Sequence, residues 1–193
     1  MKLIIYSVFT MCLLLGGVGG AQAESYPQLV ARLSSTGVFQ PTVEQLLLAK
    51  LNGLRVAKGL APLGVEGTFT GAARAHAMDM AQRNYLGHSS ATGLDFSGRI
   101  KALQGGVMRY STIGENAVMM YPPHNAAQVA DTLFHSWLNS PPHLHNMLRK
   151  DFTRVATGAV ILNGKAYADQ IFFGELLPPE NLDACKQTCI TWH

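Results

Sequence analysis

The sequence predicts an α+β domain, an antiparallel sheet covered by helices, and three observations carry that reading. Helical periodicity dominates the chain from about residue 42 onward, a short apolar strand-like segment runs from Ser111 to Met120, and Asn163-Gly164 separates two β-rich runs, Arg154 to Leu162 and Lys165 to Phe173. Asn-Gly suits a two-residue hairpin turn because both positions accept positive φ. Helices first, a hairpin late and a strand between them fit helices packed on an antiparallel sheet. The 193 residues suffice for one ordinary domain, and no internal repeat points to more. With 48% hydrophobic and 14% charged residues the chain is not of the disordered class. A net charge of +3, with no Lys/Arg run longer than two, leaves no phosphate-tracking stripe and excludes a nucleic-acid binder.

Each element follows in order. Met1-Lys2, an apolar stretch from Leu3 to Leu15 and Ala21-Gln22-Ala23 have the three parts of a signal peptide, residues 1–23. The apolar run is shorter than the ~20 residues a bilayer span requires, so no stable membrane span is expected after cleavage, and the location is secreted or periplasmic. Residues 24–41 show no clear period and read as an extended lead-in. Thr42-Val43-Glu44-Gln45 has capping-box spacing, Val43, Leu47, Leu51 and Leu54 share one face, and Gly59 sits where the helix would end. A second helix from Phe69 to Asn84 carries Phe69, Ala73, His76, Ala77 and Met80 along one stripe, and His76 there reads as a satisfied core histidine. After the loop from Leu86 to Gly93 comes a short helix with Arg99 and Ile100. A third long helix opens at Asn125, with Val129, Leu133 and Trp137 at i, i+4 and i+8. Ser140-Pro141-Pro142 stops it and starts a further short helix. The domain proper spans residues 42–176. In the tail, 177–193, Cys185 and Cys189 are expected to pair, because Cys12 leaves with the signal and an even number remains in an oxidising compartment.

Familiar enzyme signatures are missing: no Gly-x-Ser-x-Gly elbow, no HExxH helix and no phosphate-cradling glycine loop. Three polar residues in motif-like surroundings remain as catalytic candidates: His88, Glu115 and His143. His143 falls in the first turn of a helix capped by Ser140, where the positive helix end favours a neutral imidazole, the form a general base or metal ligand requires. The bland alternative is a histidine that anchors its turn through a loop carbonyl. Glu115 with Asn116 inside an apolar strand implies a buried carboxylate in need of a partner, for which His88 and His143 are the candidates. The alternative there is a carboxylate that fixes a loop through backbone amides. His145 and His124 read as solvent-facing.

These residues carry a resemblance to the CAP superfamily, also called SCP-like, which groups cysteine-rich secretory proteins, venom antigens and pathogenesis-related proteins. The matching stretches are Asn52-Gly53-Leu54-Arg55 through Gly59-Leu60-Ala61-Pro62-Leu63, Ala75-His76-Ala77-Met78-Asp79-Met80-Ala81, Asn84-Tyr85-Leu86-Gly87-His88-Ser89, Gly114-Glu115-Asn116-Ala117, Trp137 to Leu148, and Phe152-Thr153 with the strands that follow. The resemblance implies a three-layer α-β-α sandwich with a central antiparallel sheet and a cleft that in many members holds two His and two Glu, sometimes with zinc or another divalent ion. His88 and Glu115 match by motif. Ser140 and Asp151 stand where eukaryotic members often have the second Glu and second His, and His143 belongs to a Ser-Pro-x-His motif of bacterial relatives. His88 and His143 are therefore the candidate metal ligands.

Two functions follow as expectations. One is a binding module for a lipid-like ligand, a divalent metal, or an extracellular protein or peptide, as the resemblance implies. The other is a secreted hydrolase, protease-like, in which a cleft histidine activates water with Glu115 in support, with or without zinc. The first expectation open to measurement concerns export: N-terminal sequencing of the exported protein is expected to read Glu24-Ser25-Tyr26, and a mature protein that retains Met1 would overturn the signal reading.

Overall fold

The computed structural model describes residues 23–35, 38–121, 125–182 and 190–192. The signal residues 1–22, His124 and the segment with Cys185 and Cys189 lie outside the described residues, so the expected disulfide does too. In chain order the elements are α1 (Tyr26–Ser34), α2 (Pro41–Ala57), β1 (Gly64–Val65), α3 (Gly67–Arg83), α4 (Phe96–Leu103), β2 (Ile113–Met120), α5 (Ala126–Leu138), α6 (Pro141–Leu148), β3 (Arg154–Leu162), β4 (Lys165–Phe173), a 3-10 turn at Pro179–Asn181 and β5 (Ile190–Trp192).

The hairpin is the framework. β3 and β4 pair antiparallel from Arg154↔Phe173 to Leu162↔Lys165, and the turn between them has Asn163 at φ 50° and Gly164 at φ 72°. Both central residues are thus left-handed, the geometry that matches strand twist and that Asn-Gly tolerates. β2 pairs antiparallel with β4, and the short β1 and β5 add parallel to β3 and β2, giving the order β1-β3-β4-β2-β5. The sheet is antiparallel through its three long strands and mixed over all five.

Alternation along these strands sorts side chains onto two faces. On one face Val118, Val155, Ala159, Ala166, Ala168 and Phe172 pack against Val43, Leu47 and Leu51 of α2, Val129, Leu133 and Trp137 of α5, and Met147 of α6. On the other, Ala117, Val160 and Tyr167 pack against α1 and α3, and Ile113, Ala156, Ile171 and Phe173 against α3 and α4. The result is a three-layer α-β-α sandwich, as expected.

Three expectations fail locally. Residues 24–41 are not an extended lead-in: α1 occupies most of them, burying Tyr26, Leu29 and Leu33 against α3. Its start is fixed by Gln28, whose Oε1 accepts from the Ser25 N–H at 2.9 Å and the Ser25 hydroxyl at 2.8 Å. The segment is short, and only three positions bear its period. The capping box at Thr42 does not form either. α2 begins one residue earlier, with Pro41 in its first turn, and Glu44 instead reaches Arg74 of α3 and accepts from the Ala159 N–H at 3.1 Å. Similarly, Ser140 precedes α6 without a side-chain cap bond, so Pro141 alone marks that start.

α3 lies on the sheet at backbone contact distance. A Cβ on Gly158 would fall 2.2 Å from the Arg74 nitrogen and 2.3 Å from the Ala73 carbonyl carbon. Alanine stripes on α3 make the same close approach possible from the other side. Gly158→Ala is therefore expected to destabilise the domain by at least ~1–3 kcal/mol through overpacking, read as a lower urea midpoint. An unchanged midpoint would mean that α3 shifts away freely.

Candidate functional site

The site begins with a parity effect. Glu115 and Asn116 are neighbours on β2 and leave it on opposite faces. Register places Gln170 opposite Asn116 and Asp169 opposite Ala117. Each of the two strands therefore has one acid facing the α1/α3/α4 layer and one amide facing the α2/α5/α6 layer, and all four residues are fully buried.

Glu115 is held from both sides. One carboxylate oxygen takes a hydrogen bond from Arg99 at 2.5 Å, the other from His88 Nδ1 at 2.6 Å. Arg99 projects from α4, whose start is fixed by Asp95 accepting from the Gly98 N–H at 2.7 Å. The same guanidinium donates to the His88 carbonyl at 3.2 Å and to the Tyr26 hydroxyl at 3.3 Å, so it ties together α1, the His88 loop and β2. That loop leaves α3 through Asn84 at φ 51°. It is pinned by His76 donating from Nε2 to the Gly87 carbonyl at 2.8 Å, by the Ala91 N–H on Asp79 at 2.9 Å, and by Tyr85, whose hydroxyl lies 2.7 Å from both Asp79 and the Ser89 carbonyl. His76 is thus the satisfied core histidine expected, 1% exposed.

Electrostatics follow from this burial. Desolvation alone would raise the Glu115 carboxyl, but Arg99 above all, with the two histidines, overrides it and holds the group down to about 2. Burial also opposes the charged form of Arg99, and Glu115 reverses that, leaving it firmly cationic. Asp169 lacks such a cation of its own: burial and the adjacent Glu115 charge push its carboxyl well above the usual carboxylate range. Burial, then Arg99, pull His76 down to about 4, so its ring is neutral. The buried core of the cluster accordingly holds one anion and one cation in contact, with the neutral His76 ring beside them. A carboxylate that accepts from His88 Nδ1 fixes the tautomer and leaves Nε2 as the other ring nitrogen. The His88 side chain, 22% exposed, is the member of this pair that reaches solvent.

Two of the three candidates, His88 and Glu115, are in direct contact. His143 sits on α6, and its backbone carbonyl accepts from Asn116 Nδ2 at 3.1 Å, on the sheet face opposite the Glu115 carboxylate. Asn146 completes that side, donating to the Asn116 side chain at 3.0 Å and the Glu115 carbonyl at 3.2 Å. Of the His88–Glu115 pair, Nε2 of His88 is the one ligand atom left open to a divalent ion. His88 Nδ1 and both Glu115 oxygens are already engaged, and a guanidinium in contact with Glu115 repels a second cation. Among the described residues no group of three or more His, Cys, Asp or Glu side chains is disposed to hold a metal. Arg99 and Asp169 are the members that sequence reasoning missed. The Asp169-Gln170 doublet inside an apolar strand repeats the signal of Glu115-Asn116, and the partner a buried glutamate requires is a permanent cation more readily than a histidine.

Comparison with known proteins places this geometry. The model of the cysteine-rich secretory protein family, CAP, matches residues 48–174. An uncharacterised protein of Bacillus subtilis, YkwD, is 28% identical over 140 residues, covering 72% of this chain and 49% of its own length. The chain thus spans about half of that relative. An extracellular protein of Bacillus anthracis containing an SCP domain has a similar fold, with a TM-score of 0.57 at 23% identity over 70% of this chain and 41% of that one. An outer surface protein of Borrelia burgdorferi also reaches 0.57, at 15% identity over 70% of this chain and 93% of that one.

The neutral His76 ring gives a pH signature. Its folded value, about 4, lies below the ordinary 6.5, so its contribution to stability is complete above pH 6.5 and is lost as pH falls towards 4. Asp169 runs the other way: raised in the fold, it contributes at low pH, and that contribution is lost as pH rises through its folded value. The contrast is therefore read against a variant. Relative to wild type, His76→Gln, which keeps a donor for Gly87, is expected to gain up to ~3 kcal/mol between pH 7 and pH 4. Urea titrations at the two pH values measure it, and parallel losses in both proteins would show that His76 is not held neutral by the fold.

Proposed function

This chain belongs to the cysteine-rich secretory protein (CAP) family, and we propose that within it the chain acts as an exported binding module for an amphiphile with an apolar tail and an anionic head. The supporting observation is a groove of about 500 Å3 between α1, α3 and the end of α4. Val30, Phe69, Leu103 and Tyr110 give it an apolar floor, Leu176 stands at its rim 61% exposed, and Arg109 supplies one cation. Largely apolar concavities with a few placed polar groups are the usual form of small-ligand sites. The His88–Glu115–Arg99 cluster is then a brace that holds the α1/α3/α4 layer on the sheet, not the ligand site itself. Export rests on the charged start, apolar core and Ala21-x-Ala23 of the N-terminus. Among the described residues no helix is long and apolar enough to cross a membrane. An extracellular protein or peptide is the other partner class this reading accommodates, at the same surface.

The hydrolase reading rests on one feature, the buried carboxylate that orients a partly exposed imidazole, as a general base acting on water requires. No metal enters it: among the described residues no group of three or more His, Cys, Asp or Glu side chains is disposed to hold one.

Dodecanoate titrated into the protein in a calorimeter separates the two. Saturable binding, weakened at least tenfold by Leu176→Asp and unchanged by His88→Ala, is the expected result. Absence of binding, together with a peptidase or esterase activity that His88→Ala abolishes, would overturn the module in favour of the hydrolase.

A further inference from the structure

Arg55 is buried like Arg99, at 1% exposure, but among the described residues it meets no carboxylate. Its partners are carbonyls: Nε donates to Ala61 at 2.8 Å, one terminal nitrogen to Met147 and Arg149 at 2.9 Å each, and the other to Phe152 at a long 3.5 Å. Two of these carbonyls belong to the C-terminal end of α6, whose partial negative charge helps to hold the cation. Dipoles orient a guanidinium without cancelling its charge. Burial accordingly pulls Arg55 below its ordinary value, with no acid raising it back. A guanidinium has five N–H groups. Four are engaged here, and the fifth is on the nitrogen beside Phe152.

That residue leads to a second observation. Arg55, Phe152, Gly59, Leu60, Thr153 and Lys150 line a cavity of about 430 Å3 between the end of α2 and the start of β3, and no acidic side chain lines it. Lys150 is exposed at its mouth. A desolvated cation in the wall and a mobile ammonium at the entrance focus positive potential into one concavity.

We propose that this cavity is a binding site for a phosphate-type oxyanion, contacted by the spare N–H of Arg55 and the ammonium of Lys150. The donor arrangement favours phosphate over carboxylate. The two-toothed guanidinium fork that recognises a planar carboxylate is spent on carbonyls, whereas a tetrahedral dianion accepts separate donors from two directions. The site is separate from the amphiphile groove: the two cavities share no lining residue, so each stands or falls alone.

Inorganic phosphate, and glycerol phosphate as its ester, titrated at low ionic strength into 15N-labelled full-length mature protein provide the test. Saturable shifts of the Arg55 side-chain Nε–H and of the Gly59, Leu60 and Thr153 amides are expected, with acetate at equal ionic strength producing much smaller ones. Tighter binding of the ester would identify a phosphorylated small molecule, and equal binding free phosphate. Lys150→Glu, a surface change, is expected to lower the affinity at least tenfold and leave the thermal midpoint without phosphate unchanged. No saturable shift at these positions, or a Lys150→Glu variant that binds as well as wild type, would overturn the proposal.

Discussion

The contact between Arg99 and Glu115 is the constraint on which the α1/α3/α4 layer depends. Both groups are fully buried, so each is tolerable only in the presence of the other. A buried pair of this kind is a weak source of net stability, because the desolvation of both ions offsets most of their attraction. Its effect is specificity of arrangement. Arg99 reaches Glu115 only if α4 packs at one position on β2, and its remaining donors then fix the Tyr26 hydroxyl and the His88 carbonyl. Three segments, α1, the His88 loop and α4, are thereby registered to one strand by a single side chain.

The same constraint determines what His88 can do. Its Nδ1 is committed to Glu115, and the charge of that carboxylate is already met by Arg99. An imidazole in that position is oriented through Nδ1, and Nε2 is the nitrogen left to it. Asp169 reinforces this point. Burial and the neighbouring Glu115 charge push its carboxyl up, since Arg99 is a single cation facing two acids and is in direct contact with Glu115. The cluster behaves as a closed electrostatic unit with one ring edge at the surface, which favours a structural brace over a reactive centre.

Much of this fold was legible in the sequence, for local reasons. Asn163-Gly164 specified the hairpin because its two left-handed residues admit few alternatives, and the strand limits follow from that turn. α2, α3 and α5 were legible from apolar stripes long enough to show a period. α1 was not, since its three core residues, Tyr26, Leu29 and Leu33, acquire meaning only when α3 is there to receive them. At the site, the polarity of Glu115 within an apolar strand gave its burial away. What remained hidden was the identity of its main partner, because Arg99 lies on a short helix whose orientation no local pattern encodes. That the His143 carbonyl is met by Asn116 and not by Glu115 follows from strand parity. Glu115 and Asn116 are adjacent in sequence and motif, and a strand sends adjacent residues to opposite faces, so one motif serves two layers.

That parity has a consequence for how a shared family motif should be interpreted. Glu115 organises the α1/α3/α4 layer through Arg99, while Asn116 organises the α6 end through His143 and Asn146. Asn146 in turn accepts from Thr191 of β5 at 2.6 Å, and Gly114 leaves room for that strand, since a Cβ there would fall 2.8 Å from the Thr191 hydroxyl. Gly-Glu-Asn is thus three successive answers to three packing problems: a gap for the edge strand, an anion for the buried guanidinium, and an amide for the end of α6. Each answer is needed for the fold whether or not any ligand is bound. The pattern of residues that marks the family is, in this chain, accounted for by assembly of the layers around β2, and ligand chemistry is free to reside in the cavities that those layers enclose at their margins.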